Sequence, residues 1–373
     1  MIDRREFMKT SIACAGLAAS GSLAFGKSKQ EVPSYLKGYE ELYAKDPRKS
    51  AIEWFRDAGF GLFIHYGPNA LISTIDGRVA KNDWLQLREK LSVKKYEKIA
   101  RQFRAEKFDA DFITDMVLDA EMKYVTLTTR HHDSFCLFDS KYTNFNSTNT
   151  PAKRDLVGEM AEQCQKKGLG FCLYYSHGRD WRHPHAANND GWGGSARPAA
   201  KDPYYKYGEE HDLQRYLDFM KNQITELLTN YGPIASIWLD GISTPLKPKG
   251  NNNKDMFKCQ ELYDYIHSLQ PQVLVSYKQG LTGTEDYLAP ERKWNRNITK
   301  PLEICDTLQS KQWFYNKALD GKHKSPDQVM AMLTKAQKMG ANLLLNTGPL
   351  PDGSIHPDDI STLKEVGRRL RNQ

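Results

Sequence analysis

The sequence predicts an α/β protein built as a (β/α)8-type barrel, with room for one irregular unit. Three observations predict it. Apolar runs bounded by turn residues alternate with segments of helical periodicity along most of the chain. Side chains capable of chemistry (His, Asp and Lys) recur at the C-terminal ends of those runs, where barrel enzymes gather their active sites. No Gly-x-Gly-x-x-Gly fingerprint or phosphate loop follows the first strand, which disfavours a doubly wound nucleotide-binding sheet. A length of 373 residues accommodates one such barrel, and a hydrophobic fraction of 39% can fill its core.

The chain opens on an address. Asp3-Arg4-Arg5-Glu6-Phe7-Met8-Lys9 closely matches a twin-arginine export signal and precedes a weakly apolar run from Ser11 to Phe25. Ala24 and Gly26 place small residues where a signal peptidase inspects the chain. Residues 1–26 are therefore expected to be a signal peptide, cleaved before Lys27, and the protein to be periplasmic. Cys14 raises a lipoprotein alternative, but Ser11 stands where a lipobox carries an aliphatic residue. Cys136, Cys164, Cys172, Cys259 and Cys305 follow the signal, with no C-x-x-C pair. Cys136, Cys172 and Cys305 lie in apolar stretches and read as small core residues.

Residues 27–50 are polar, carry Pro33 and Pro47, and read as a lead-in without much core of its own. The barrel is expected over 51–373, with no C-terminal β-sandwich. Gly59 to Gly67 is a buried-strand candidate ending in His65. Helices are expected over 91–104 and 110–121, then a strand from Lys123 to Thr129 ending in Arg130-His131-His132-Asp133. Leu156 to Lys167 reads as a helix stopped by Gly168. The next strand, Gly170 to Tyr175, ends at Ser176-His177.

Residues 178–210 break the rhythm with two tryptophans and several turn clusters; a loop this long is usually functional or disordered. A helix over His211 to Tyr231 leads to Ala235-Ser236-Ile237-Trp238-Leu239-Asp240-Gly241, a strand ending in a carboxylate. A helix over 254–269, a strand over Gln272 to Lys278 and a shorter strand over Leu302 to Leu308 follow. Ser325-Pro326-Asp327 opens a capped helix ended by Gly340. Ala341 to Thr347 is the last strand and Pro357 to Leu370 the closing helix.

The strand ends thus supply His65, His131 with His132, Tyr175 with His177, Asp240 and Lys278. In a barrel they converge on one face and can surround one small ligand. A metal at His131-His132 would need a bulge, because neighbouring strand residues point to opposite faces. Imidazoles hydrogen-bonding sugar hydroxyls explain the pair more simply, and no metal or other cofactor is implied. The net charge of +7 comes from interspersed basic and acidic residues, a mixed surface without a nucleic-acid footprint. No stretch approaches the roughly 20 apolar residues of a membrane span.

Several motifs, in order, carry a resemblance. Phe60-Gly61-Leu62-Phe63-Ile64-His65-Tyr66-Gly67-Pro68 is the first. Thr128-Thr129-Arg130-His131-His132-Asp133-Ser134-Phe135 and Pro151-Ala152-Lys153-Arg154-Asp155-Leu156-Val157 follow. Ile237-Trp238-Leu239-Asp240-Gly241 and Asn342-Leu343-Leu344-Leu345-Asn346-Thr347-Gly348-Pro349 complete the set. Together they resemble the α-L-fucosidases of glycoside hydrolase family 29 over roughly residues 50–370.

The resemblance implies a retaining glycosidase with Asp240 as nucleophile and Glu291 as acid/base, Glu285 being the alternative. It implies hydroxyl contacts from His65, His131 and His132, and a sugar pocket lined by Trp84, Tyr175 and Trp238. Asp83-Trp84 stands where the family commonly has Glu-Trp. Ser276-Tyr277-Lys278 stands where Asn-Asp-Arg is frequent, so Lys278 keeps the charge without the bidentate fork of Arg.

The chemistry also fits the residues directly. Retention requires two carboxyl groups ~5–5.5 Å apart, one attacking the anomeric carbon and one serving as acid, then base. The implied partner is a fucosylated glycan or oligosaccharide. Two other readings stand beside it: a glycosidase for a fucose-like sugar such as L-galactose or a substituted ring, and a degenerate carbohydrate-binding barrel.

Overall fold

The computed structural model describes residues 31–72, 84–192, 196–198, 202–241, 253–278, 280–294 and 300–373, with the backbone alone of 74–75, 78–79 and 189. The expected signal peptide, residues 1–26, and Asp83 lie outside the described residues. Residues Val32–Gln373 form one compact unit.

Among the described residues, seven parallel strands form its sheet: β1 (Phe60–Ile64), β2 (Tyr124–Arg130), β3 (Gly170–Ser176), β4 (Ser236–Asp240), β5 (Leu274–Ser276), β6 (Leu302–Thr307) and β7 (Ala341–Thr347). They pair in the order β5-β4-β3-β2-β1-β7-β6. Between the two edge strands lies an irregular eighth. Asp286 N bonds Val275 O and Ala289 N bonds Lys278 O on one side. On the other, Leu288 bridges Leu302 and Glu291 bridges Cys305, both parallel. Pro290 and the buried Asp286 explain why the sequence does not read as a strand here. The architecture is a (β/α)8-type barrel with one irregular unit, as the alternation of elements predicts.

The helices that cover the outside are α3 (Val93–Ala100), α4 (Ala110–Asp119), α5 (Leu156–Lys167), α6 (Leu213–Thr229), α7 (Cys259–Leu269), α8 (Pro326–Lys338) and α9 (Pro357–Arg371). Their starts are written locally: Ser92, Asp109, Asp155 and Ser325 each accept a backbone N–H at the N-terminus. Helix α3 is shorter than its periodicity suggests, because Arg101 caps it and the chain turns at Gln102 and Phe103. No helix among the described residues is long and apolar enough to cross a membrane. The five described cysteines are free and buried.

Among the described residues, two α-helices precede β1, α1 (Glu40–Lys45) and α2 (Pro47–Ala58). They carry more core than the polar composition of this stretch suggests. Tyr35, Leu36, Tyr43, Trp54 and Phe55 pack with Tyr124, Cys172, Tyr287 and Leu344 from inside the barrel. This cluster fills the N-terminal end of the barrel, opposite the cavity at the strand ends. The Trp54 ring needs room: a Cβ at Gly170 would come within 2.4 Å of it. Truncating Trp54 to Ala would cost about 3–5 kcal/mol.

Candidate active site

Every strand has two faces, and only one looks into the barrel. On β4 the inward face carries Ser236, Trp238 and Asp240; on β3 it carries Cys172, Tyr174 and Ser176, paired in register with them. On the irregular strand Tyr287 and Ala289 point into the interior cluster, and Glu291 continues that phase to the pocket. These ends meet in a cavity of about 570 Å³, lined by His65, Trp84, His131, His132, Trp238, Asp240, Lys278 and Glu291 among others. Its size suits a sugar and part of what the sugar is attached to.

Asp240 is held from several directions. The Tyr174 hydroxyl donates to Oδ2 at 2.7 Å and the Gly241 amide to Oδ1 at 2.7 Å. Gly241 adopts φ +91°, a conformation that glycine takes without steric cost. Lys278 Nζ lies 3.4 Å from Oδ1 and His132 Nε2 3.7 Å from Oδ2. Burial alone would raise the carboxyl pKa. Lys278 above all, with the nearby Arg179 cation, the His132 ring and the Tyr174 hydrogen bond, outweighs it and holds the group well below the usual carboxylate range. Asp240 is an anion aimed into the cavity.

Lys278 also reaches Glu291, with Nζ 3.2 Å from Oε2. Burial opposes its charge, but Asp240 and Glu291 prevail and its pKa is raised. One ammonium thus touches both carboxylates. The two contacted oxygens, Oδ1 of Asp240 and Oε2 of Glu291, lie no farther apart than those two contacts together allow. That bound includes the ~5–5.5 Å of a retaining pair and reaches only the lower edge of the ~6.5–9.5 Å of an inverting pair.

The imidazoles surround the same space. A register shift between Thr128 and Arg130 supplies the bulge needed to bring both His131 and His132 to the pocket, their rings 4.2 Å apart. His65 Nδ1 meets Asn346 Oδ1 at 2.6 Å, and His132 Nδ1 meets Ser176 Oγ at 2.5 Å. Burial, reinforced by neighbouring histidine and cationic charge, lowers the pKa of all three. As neutral rings each offers one donor and one acceptor, which matches sugar hydroxyls. Trp238 stacks on Tyr174 at 5.5 Å, and Trp84 stands edge-on to His132 at 5.7 Å.

Two sequence expectations need correction or decision. Tyr175 does not line the pocket. It lies on the outward face of β3, where its hydroxyl donates to Gln223 at 2.8 Å and the Arg130 guanidinium covers its ring at 4.2 Å. Strand alternation puts Tyr174 in its place. Glu285 is buried and is consumed by its own turn, accepting from the Leu281, Thr282 and Gly283 amides and from the Thr282 hydroxyl. Only Glu291 of the two lines the cavity.

The sequence reading missed Tyr174, Asn346, Arg292 and Trp313. Asn346 carried a signal, as the polar end of the apolar run Leu343-Leu344-Leu345. Trp313 and Arg292 sit on loops without periodicity, and nothing local marks them. Arg179 is in the pocket because the loop behind it is tied down. Asp180 pairs with the buried Arg130, and Arg197 donates to the carbonyls of Asp180, His183 and Ala186 at 2.7, 2.6 and 2.9 Å.

Fold and site define a class: (β/α)8-type barrels with two closely spaced carboxylates above a polar, aromatic-lined pocket, the layout of retaining glycoside hydrolases. The chain belongs to the α-L-fucosidase family, whose model matches residues 27–373. It is 27% identical over 354 residues to α-L-fucosidase 1 of Arabidopsis thaliana, covering 86% of this chain but only 59% of that protein. With the α-L-fucosidase of Branchiostoma floridae it shares 26% identity over 362 residues, 91% of this chain and 74% of the relative.

Among solved structures, α-L-fucosidase isoenzyme 1 from Paenibacillus thiaminolyticus superposes with a TM-score of 0.77 at 33% identity, over 87% of this chain and 76% of the other. The α-L-fucosidase AlfC of Lactobacillus casei, in complex with its α-L-fucose product, gives 0.75 at 27% identity, over 87% and 99%.

Proposed function

We propose that this chain is a retaining exo-acting α-L-fucosidase that removes fucose from glycans through a covalent glycosyl-enzyme. The observation that carries the reading is Lys278 in contact with both Asp240 and Glu291, within a chain of this family. Asp240, held ionised on the rigid end of β4, attacks the anomeric carbon and displaces the glycosidic oxygen. Glu291 delivers a proton to that oxygen as it leaves, then takes a proton from the water that hydrolyses the intermediate. Lys278 orients both carboxylates and moderates their mutual repulsion.

His65, His131 and His132 hold the ring hydroxyls in both states. Trp238 and Phe63, 5.8 Å apart, offer apolar faces to the ring and its methyl group. The Arg4-Arg5 segment supports export of the folded protein to the periplasm.

A screen of aryl α-L-fucosides, α-L-galactosides, β-D-galactosides and α-L-rhamnosides tests the reading. Turnover of the fucoside above all others is the expected result. Binding without turnover of any of them would return the chain to the degenerate-barrel alternative.

A further inference from the structure

The charge of the pocket exceeds what a neutral deoxysugar requires. Arg88, Arg179, Lys278, Arg292 and Lys311 line it, against the carboxylates of Asp240 and Glu291. Two of the cations are engaged: Lys278 with both carboxylates, and Arg292 with Glu291 at 3.2 Å and Asp306 at 3.4 Å. Among the described residues, no hydrogen bond or ion pair joins the other three to a carboxylate.

Arg179 is 1% exposed, and its guanidinium lies 4.8 Å over the Trp84 ring. Its Nε and Nη2 are buried with no hydrogen-bond partner among the described residues. Burial lowers its pKa, with Asp240 and Tyr174 opposing. Buried guanidinium nitrogens without an acceptor are costly, so an acceptor delivered by a ligand would be strongly favoured. Arg88 and Lys311 are exposed at the mouth, and no ion pair joins either of them to a carboxylate among the described residues. The three come from different walls: Arg88 from the segment after β1, Arg179 from the loop after β3, Lys311 from the loop after β6. The hydroxyls of a neutral fucoside are already served by three imidazoles.

Resting on the fucosidase reading, we propose that the preferred substrate is an anionic α-L-fucoside. It bears a sulfate ester or carboxylate received by Arg179 within the pocket and by Arg88 and Lys311 at its mouth. Planar guanidinium groups suit such oxyanions. An anion on the fucose ring itself lies within reach of Arg179; one on the neighbouring sugar faces Arg88 and Lys311.

The test compares kcat/KM for 4-nitrophenyl α-L-fucoside with its 2-, 3- and 4-O-sulfated forms, and for fucosyl-glucuronate with fucosyl-glucose, at low and high salt. At least one anionic member is expected to exceed its neutral partner roughly tenfold or more at low salt, with the ratio shrinking as salt rises. Collapse of that ratio in Arg179→Gln locates the anion on the fucose; collapse in the doubly substituted Arg88→Gln, Lys311→Gln protein, whose exposed positions do not threaten folding, locates it on the aglycone. Neutral substrates equal to or better than every anionic partner would overturn the proposal. Should no fucoside of either charge be turned over, the fucosidase reading fails instead. Calorimetry with fucose and its sulfates then decides the anion question: tighter binding of a sulfate supports it, and equal or weaker binding of all sulfates ends it.

Discussion

Tyr174 donates its hydroxyl proton to Asp240 across the pairing of β3 with β4, at 2.7 Å. The bond stabilises the carboxylate over the carboxylic acid and fixes the direction in which its lone pairs point. A hydrogen bond to a charged group is worth about 1.5–3 kcal/mol, so Tyr174→Phe should lower kcat/KM roughly ten- to a hundredfold. It should also move the acidic limb of the pH profile upward. Tyr175→Phe removes an outward bond to Gln223. Steady-state kinetics should barely register it, while thermal unfolding should show a loss of about 1 kcal/mol. If Tyr175→Phe is the variant that damages catalysis, the strand phase assigned here is wrong.

Glu291 and Glu285 can be separated by leaving group. A proton donor matters most when the leaving oxygen is poor, and general acid catalysis contributes about 10²–10⁴-fold. Glu291→Ala should lose a factor of that order on natural fucosides and much less on aryl fucosides with acidic phenols. Glu285→Ala should not show this dependence on the leaving group and should instead destabilise its turn, which it holds through three backbone amides. An exchange of these behaviours between the two variants would reassign the acid/base.

Glu303 makes stability depend on pH. It is buried inside the barrel, accepts the Tyr124 hydroxyl at 2.8 Å, and burial raises its pKa from 4.5 to about 7 against that bond. A carboxyl with a raised folded pKa binds more protons in the folded state. Its favourable contribution is therefore complete below about pH 4.5 and is lost as pH rises through about 7. Glu303→Gln, which keeps an acceptor for Tyr124, should remove that slope and gain on the order of 3 kcal/mol above pH 8 relative to the parent. Denaturant unfolding at pH 5 and pH 8 measures it. An unchanged slope would mean that Glu303 does not titrate in this window.

Export is tested at the N-terminus. Protein recovered from the native periplasm should begin at or near Lys27, and Arg4→Lys with Arg5→Lys should leave the chain in the cytoplasm. An intact N-terminus in the cytoplasm of the unaltered cells would contradict the assignment.

Most of the barrel was legible because its strands are apolar and bounded by turns, and because Asp155, Ser325 and Gly168 punctuate helices as their chemistry requires. Asp240, Trp238, His65 and Lys278 were legible as polar or aromatic residues at strand ends. Less legible features share a cause: they depend on what lies across the barrel. The segment from Asp286 to Glu291 is a strand only because two edges need a partner. Tyr174 and Tyr175 are chemically identical neighbours, and only the register with Trp238 and Asp240 assigns one of them inward. Arg179 reaches the pocket only once the Arg130–Asp180 pair, far apart in sequence, ties down its loop. Tyr35 and Tyr43 look like part of a polar lead-in until the open end of the barrel they fill is present.

The central claim, that Asp240 forms a bond to the sugar, is tested most directly by Asp240→Ala with azide. The variant should retain its fold and sugar binding and lose turnover by about 10³-fold or more. Azide, small enough for the space left by the carboxylate, should restore part of the activity on an activated aryl fucoside and yield β-L-fucosyl azide, of inverted configuration. Near-normal turnover without azide, or an azide product of retained configuration, would contradict the account.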